Sequence, residues 1–249
     1  MDESSESLYG ATNAQPEAPK PAAPGLWEQI SGVFTEPTKL FQRLYATPSW
    51  GWALGAIIAL SIVMTIVWGL KVDVDALLRP TMERNPSMDA SQIDTAIEMT
   101  KKTIIPFGIL GALVGTFAGM LIMGFFYWLI GKGTAEAEAP SYRHALTVAS
   151  VPSLVALPYM LIISVMCFLR TVEGLKPEQL SPTSLGFFLH PENLKLHALL
   201  TSMDAFLIAS YVMVFLAARH TMKLKAGGAW ACALLAVVLS VGMKVLGAK

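Results

Sequence analysis

The chain is short of charge. Of its 249 residues only 14% are Asp, Glu, Lys or Arg, where an ordinary soluble domain carries about 25%. With 54% hydrophobic residues and a mean hydropathy of +0.54, too little polar surface remains to cover a water-soluble globule, and the same numbers exclude a disordered chain. No sign of charge predominates either. The 18 basic and 18 acidic side chains cancel, which removes the electrostatic argument for a nucleic-acid partner.

Cysteine is scarce as well. Cys167 and Cys232 both fall in apolar stretches with no metal-ligand spacing around them, so they read as small apolar fillers and not as a disulfide scaffold or a metal site. The four histidines, His144, His190, His197 and His220, sit at the ends of apolar runs or in loops. No HExxH, GxSxG, paired GxGD or Walker loop accompanies them. The sequence therefore predicts no metal, no cofactor and no catalytic site. Residues 1–24 carry no basic stretch followed by an apolar core, which argues against a signal peptide, and their Ser, Glu, Ala and Pro content predicts a disordered polar tail.

What the chain has in quantity is long apolar runs. A spanning helix needs about 20 apolar residues free of uncompensated charge, and five such windows occur: 52–70, 103–131, 144–169, 197–218 and 226–243. Long continuous runs predict helices, since a membrane barrel would show short alternating strands. Trp50, Trp52 and Trp68 bracket the first window, Tyr127 and Trp128 close the second, and Trp230 opens the fifth, as expected of rings at headgroup level. The fold class is therefore all-α, a membrane bundle of five transmembrane helices in contact with the lipid bilayer.

Ahead of the first window, over 25–51, Leu26, Ile30, Val33, Phe34, Leu40, Phe41 and Leu44 recur at helical spacing around Pro37. This predicts two short amphipathic helices on the membrane surface. The segment could bind a protein partner or merely pack on the bundle. Between the first two windows, 71–102 is polar, and Ile93, Ile97 and Thr100 share a face of a short helix there. The loop over 170–196 is long and proline-bearing. Orientation is not decided by charge: seven Lys and Arg flank the spans on the N-terminal side and ten on the other, although the short loops 132–143 and 219–225 are the denser ones.

Four patterns stand out as candidate sites. Asp204 is the only carboxylate inside a window, and a bare charge there costs roughly 2.5 to 3.5 kcal/mol on insertion scales, so it needs a partner, a proton or water. It is either a buried acid joining helices or a proton or ligand site. Gly111, Gly115 and Gly119 form overlapping GxxxG repeats, with a further pair at Gly51 and Gly55, suited to close helix packing within the chain or to a homo-oligomer. Pro152 and Pro158 remove backbone hydrogen bonds inside the third window and predict a kinked or broken helix. Such a break could frame a transport path together with Asp204.

The segments LWEQISGVFTEPTKLFQRL, NPSMDASQIDTAIEM, YRHALTVASVPSLVALP and LLTSMDAFLIASYVMVFLAARH together resemble the bacterial branch of the Yip family, the Ypt/Rab-interacting membrane proteins. The resemblance runs over roughly 26–245 and includes Ser202, Asp204 and Phe206; where the family carries a Trp shortly afterwards, this chain has Ala209 or Ser210. It implies a five-helix membrane bundle with a cytosolic N-terminal region, acting as a scaffold or adaptor. In eukaryotic relatives it implies a part in vesicle traffic through Rab GTPases, a role that carries over to this chain only if its source is eukaryotic.

Overall fold

A computed structural model describes residues 22–170, 172–189, 191 and 193–248; most of the predicted polar tail, residues 1–21, lies outside them. The described chain is helical nearly throughout. It opens with α1 (Leu26–Thr35) and α2 (Pro37–Ala46), which Pro37 separates by starting the second helix at a position where its missing N–H costs nothing. The first long helix, α3 (Gly51–Lys71), leads into a two-residue strand, β1 (Val72–Asp73), and α4 (Val74–Met82), whose N-terminus is capped by Asp73.

The next helix differs from expectation. A short helix in the loop and a separate span were predicted, but α5 (Ala90–Leu110), a single π turn (Gly111–Gly115) and α6 (Thr116–Thr134) form one continuous rod. Its 45 residues make roughly 68 Å at 1.5 Å per residue, about twice the hydrocarbon thickness. Asp89 and Gln92 cap its start in a reciprocal box, and nothing between them and Pro106 breaks the helix. The hydroxyls of Thr100 and Thr103 donate back to the carbonyls of Ala96 and Met99 within the same helix.

The proline break is present. After α7 (Tyr142–Ser150) the backbone tightens into a 3₁₀ turn (Val151–Ala156) with Pro152 in its first positions, then resumes as α8 (Leu157–Leu169) with Pro158 in its first turn. Strand β2 (Val172–Glu173) follows and pairs in parallel with β1, Val72 opposite Val172, tying the far ends of α3 and α8 together. Gly174, at φ +65°, makes the turn behind it against the carbonyl of Ala76. Two short 3₁₀ turns (Pro177–Leu180 and Leu185–Phe187) cross that end before α9 (Leu194–Ser202), α10 (Ala205–Thr221) and α11 (Ala226–Gly247) complete the chain. Four helices, Gly51–Lys71, Ala90–Thr134, Tyr142–Leu169 and Ala226–Gly247, are long and apolar enough to cross a membrane; Ala205–Thr221 is apolar but shorter.

The largest core lies at the N-terminal end and mid-depth. Val33, Phe41, Leu44, Val148, Leu154 and Leu224 are fully buried there among α10 and α11 side chains. The amphipathic segment is therefore no free surface element: its apolar stripe is built into the bundle, and the hydroxyl of Thr221 donates to the carbonyl of Phe41 at 3.0 Å. The two connections at this end are bound to each other. The Glu136 N–H reaches the Lys223 carbonyl at 2.9 Å, the Lys225 N–H reaches the Thr134 carbonyl at 2.9 Å, and Arg219 joins the Glu136 carboxylate and the Leu224 carbonyl.

Candidate functional site around Asp204

Residues 194–221 were predicted to contain one window beginning at 197. The structure breaks it at Met203, and Asp204 is the residue that caps the new helix, not a charge within one. Its Oδ1 accepts the backbone N–H groups of Phe206 at 2.9 Å and Leu207 at 3.4 Å, the pattern of a helix N-cap. A carboxylate at this end also meets the positive end of the α10 dipole.

The second carboxylate oxygen faces the loop that crosses from α8. Oδ2 accepts from Ser181 Oγ at 2.7 Å and from Thr183 Oγ1 at 2.5 Å. Backbone bonds reinforce the same junction: Ser184 and Asp204 face each other in an antiparallel bridge, the Leu185 N–H donates to the Met203 carbonyl, and the Ala205 N–H donates to the Thr183 carbonyl. Asp204 and Ser181 are 0% exposed and Ser184 is 1% exposed. A buried carboxylate with four donors is compensated without a counter-ion, because each donor places a partial positive charge where water would have stood. The side chain thus closes a polar latch that holds the 181–185 loop to the start of α10.

Neighbouring contacts extend that latch. Trp68 Nε1 donates to the Leu175 carbonyl at 3.0 Å, Arg170 lies 4.5 Å over the Phe187 ring, and the His197 ring nitrogen Nε2 lies 3.1 Å from the Gly186 carbonyl. Gly186 lies so close to Thr201 of α9 that no side chain would fit between them. Sequence reasoning singled out Asp204 but missed Ser181, Thr183 and Ser184. The available signal was local: an Asp directly before the apolar run from Ala205 is a helix start.

The other candidates lie apart from this junction. Pro152 is buried under α10 and α1, and Pro158 is half-buried at the start of α8; the 3₁₀ stretch they frame buries Val151, Leu154 and Val155, while Ser153 joins Ser150 and Thr116 on a pocket of about 230 Å³. The glycines behave differently from the packing within the chain that their spacing suggested. A Cβ at Gly111, Gly115, Gly119, Gly51 or Gly55 would meet nothing within 4 Å. The close approaches occur elsewhere: a Cβ at Gly108 would lie 2.5 Å from Thr65 Cγ2, one at Gly69 2.7 Å from Ile105 Cγ1, and one at Gly124 2.7 Å from Leu146 Cδ2. These glycines seat α3 against α5 and α6 against α7. No group of three or more His, Cys, Asp or Glu comes together among the described residues.

Several apolar helices that leave much of their surface uncovered, tied at both ends by polar connections, define a multi-pass integral membrane protein. The Yip1 domain model matches residues 31–246, nearly the whole described chain, and the protein belongs to that family. It is similar to "Membrane protein YknW" of Bacillus subtilis (strain 168), with 26% identity over 207 residues, 83% of this chain and 84% of the relative. No solved structure matches.

Proposed function

We propose that this protein is a non-enzymatic five-span membrane scaffold that binds a protein partner through its N-terminal helices and polar loops, with the N-terminal region in the cytosol. The observation that carries the reading is the form of α1 and α2. Their inner faces are fixed in the core, which gives a rigid platform, while Trp27 is 79% exposed and Phe34 and Tyr45 are each 47% exposed on the outside. Beside them a shallow polar groove of about 250 Å³ runs between Glu28, Ser31, Lys39 and Arg43. Rigid aromatic side chains next to charged rims suit protein recognition. The fifth crossing is α10, whose 17 residues make about 26 Å and which runs from the Asp204 latch at the far end to the Thr221 contact with α2. The division into a tail over 1–24, a pre-membrane segment over 25–51 and a membrane domain over 52–249 belongs to the same reading.

A cytosolic N-terminus is supported by membership of the family and by the density of basic residues in the short connections at that end, Lys132, Arg143, Arg219, Lys223 and Lys225. Self-association is supported by the outward glycines: Gly111 and Gly115 are exposed and unopposed within the chain, which leaves that face open to a second helix. A transport path along Asp204 and the proline break finds less support, since Asp204 is saturated by its latch.

Deletion of 25–47 would remove core side chains along with the platform, so surface substitution is the cleaner test. Trp27→Ala combined with Phe34→Ala should leave the protein folded and abolish near-stoichiometric recovery of a partner from native membranes in mild detergent. Undiminished recovery would remove the platform from the account.

A further inference from the structure

Beyond the latch, the far end of the bundle carries a cavity of about 570 Å³ between α4, the 174–179 turn, α9 and the last turn of α11. Its wall is mixed. Leu77, Leu194 and Met243 supply apolar surface, and Lys176, Glu178 and Lys244 supply three charges, none of which forms an ion pair among the described residues. Lys244 and Glu178 are half-buried and Lys176 is exposed.

Its depth follows from α11. The 22 residues of that helix make roughly 33 Å, close to the hydrocarbon thickness of about 30 Å, so a helix flanked by Lys225 places Lys244 near the opposite headgroup level. Val238 and Met243, on the membrane side of it, are 63% and 72% exposed, as side chains against acyl chains would be. A pocket at this level that opens beside apolar side chains and holds two cations and one anion is complementary to a headgroup bearing a phosphate and an amine. Lysine ammonium groups bind phosphate oxygens through charge-assisted hydrogen bonds.

We propose that this cavity binds an aminophospholipid headgroup, its phosphate between Lys176 and Lys244 and its ammonium on Glu178. The acyl chains then run toward the membrane interior along the exposed apolar face of α11 at Met243, Val238 and Leu234.

The test is native mass spectrometry of the full chain taken from vesicles of equal phosphatidylethanolamine and phosphatidylglycerol. The wild-type protein should retain phosphatidylethanolamine preferentially. Lys176→Gln and Lys244→Gln should each lower retention about fivefold, Lys→Arg at either position should restore it, and Glu178→Gln should erase the preference for the amine-bearing lipid. Lys101→Gln, at the same end but outside the cavity, should change nothing, and thermal melts should show every variant folded. Retention unaltered by the two lysine variants, or lowered equally by Lys101→Gln, would overturn the site. Equal or greater retention of phosphatidylglycerol by the wild type would overturn the amine assignment. Displacement of the lipid by millimolar inorganic phosphate, with the phosphate itself retained, would make the source a free anion and overturn the lipid.

Discussion

The two ends of the bundle balance apolar burial and polar bonding differently. At the N-terminal end, fully buried Phe41, Leu44, Val33 and Leu224 bring α1, α2 and the turn before α11 into one apolar core. At the far end a smaller cluster, Leu180 and Val172 against Ile163 and Cys167 of α8, is joined by directional polar bonds that converge on Asp204. An apolar core loses stability gradually with buried volume, whereas a polar latch fails when one partner is removed and the others are left buried without one. The polar bonds add direction to what the Leu180 cluster holds by burial, and together they order a long irregular loop.

The largest effect should come from the apolar end. Phe41→Ala removes a side chain that is 0% exposed and should cost about 4 kcal/mol, seen in thermal melts of the purified protein and in earlier proteolysis at α1 and α2. At the polar end, Asp204→Ala takes away an N-cap and leaves the buried Ser181 and half-buried Thr183 hydroxyls only each other, for a loss of about 2 kcal/mol. Asp204→Asn keeps one capping oxygen and should cost about 1 kcal/mol. If the asparagine variant instead abolished a measurable flux at unchanged stability, the comparison would break in favour of a transport role.

Between the ends, the glycines sharpen the picture. Gly108→Leu would press on the stiff side chain of Thr65 and should cost about 2 kcal/mol. Gly115→Leu should leave the melting temperature unchanged and reduce cross-linking between copies. The smallest effect belongs to the Arg79 cluster, in which the guanidinium meets Asp75 at 2.8 Å and Asp94 at 2.7 Å on an exposed surface. The hydrogen bond from Arg79 holds the Asp75 carboxyl below its ordinary 3.8. A depressed carboxyl stabilises the fold above its unfolded value and loses that contribution as pH falls through the folded one. Asp75→Asn should therefore lower the melting temperature slightly near neutral pH and not at all in acid.

Much of this was readable along the chain. Charge-free runs marked the apolar helices because insertion forbids unpaired charge, and proline placed the break after Ser150 because it cannot donate within a helix. Features that depend on a partner distant in sequence were not readable. Asp204 stood out as a lone acid, but its bonds to Ser181 and Thr183 cross a loop of more than 20 positions, and no local pattern marks those hydroxyls as donors. The glycine repeat at 111, 115 and 119 had the right spacing, yet close packing within the chain falls at Gly69, Gly108 and Gly124, since a close approach also requires a neighbouring helix at that height. The amphipathic stripe of α1 and α2 has the same period whether it rests on lipid or on protein, so docking into the core was visible only in three dimensions.

Hydrogen exchange followed by mass spectrometry, comparing wild type with Asp204→Ala, tests the latch most directly. Protection should fall over 177–189 and the first turn of α10 while α1 and α2 exchange as before. Unchanged protection in that loop, or a uniform loss across the whole bundle, would contradict the account.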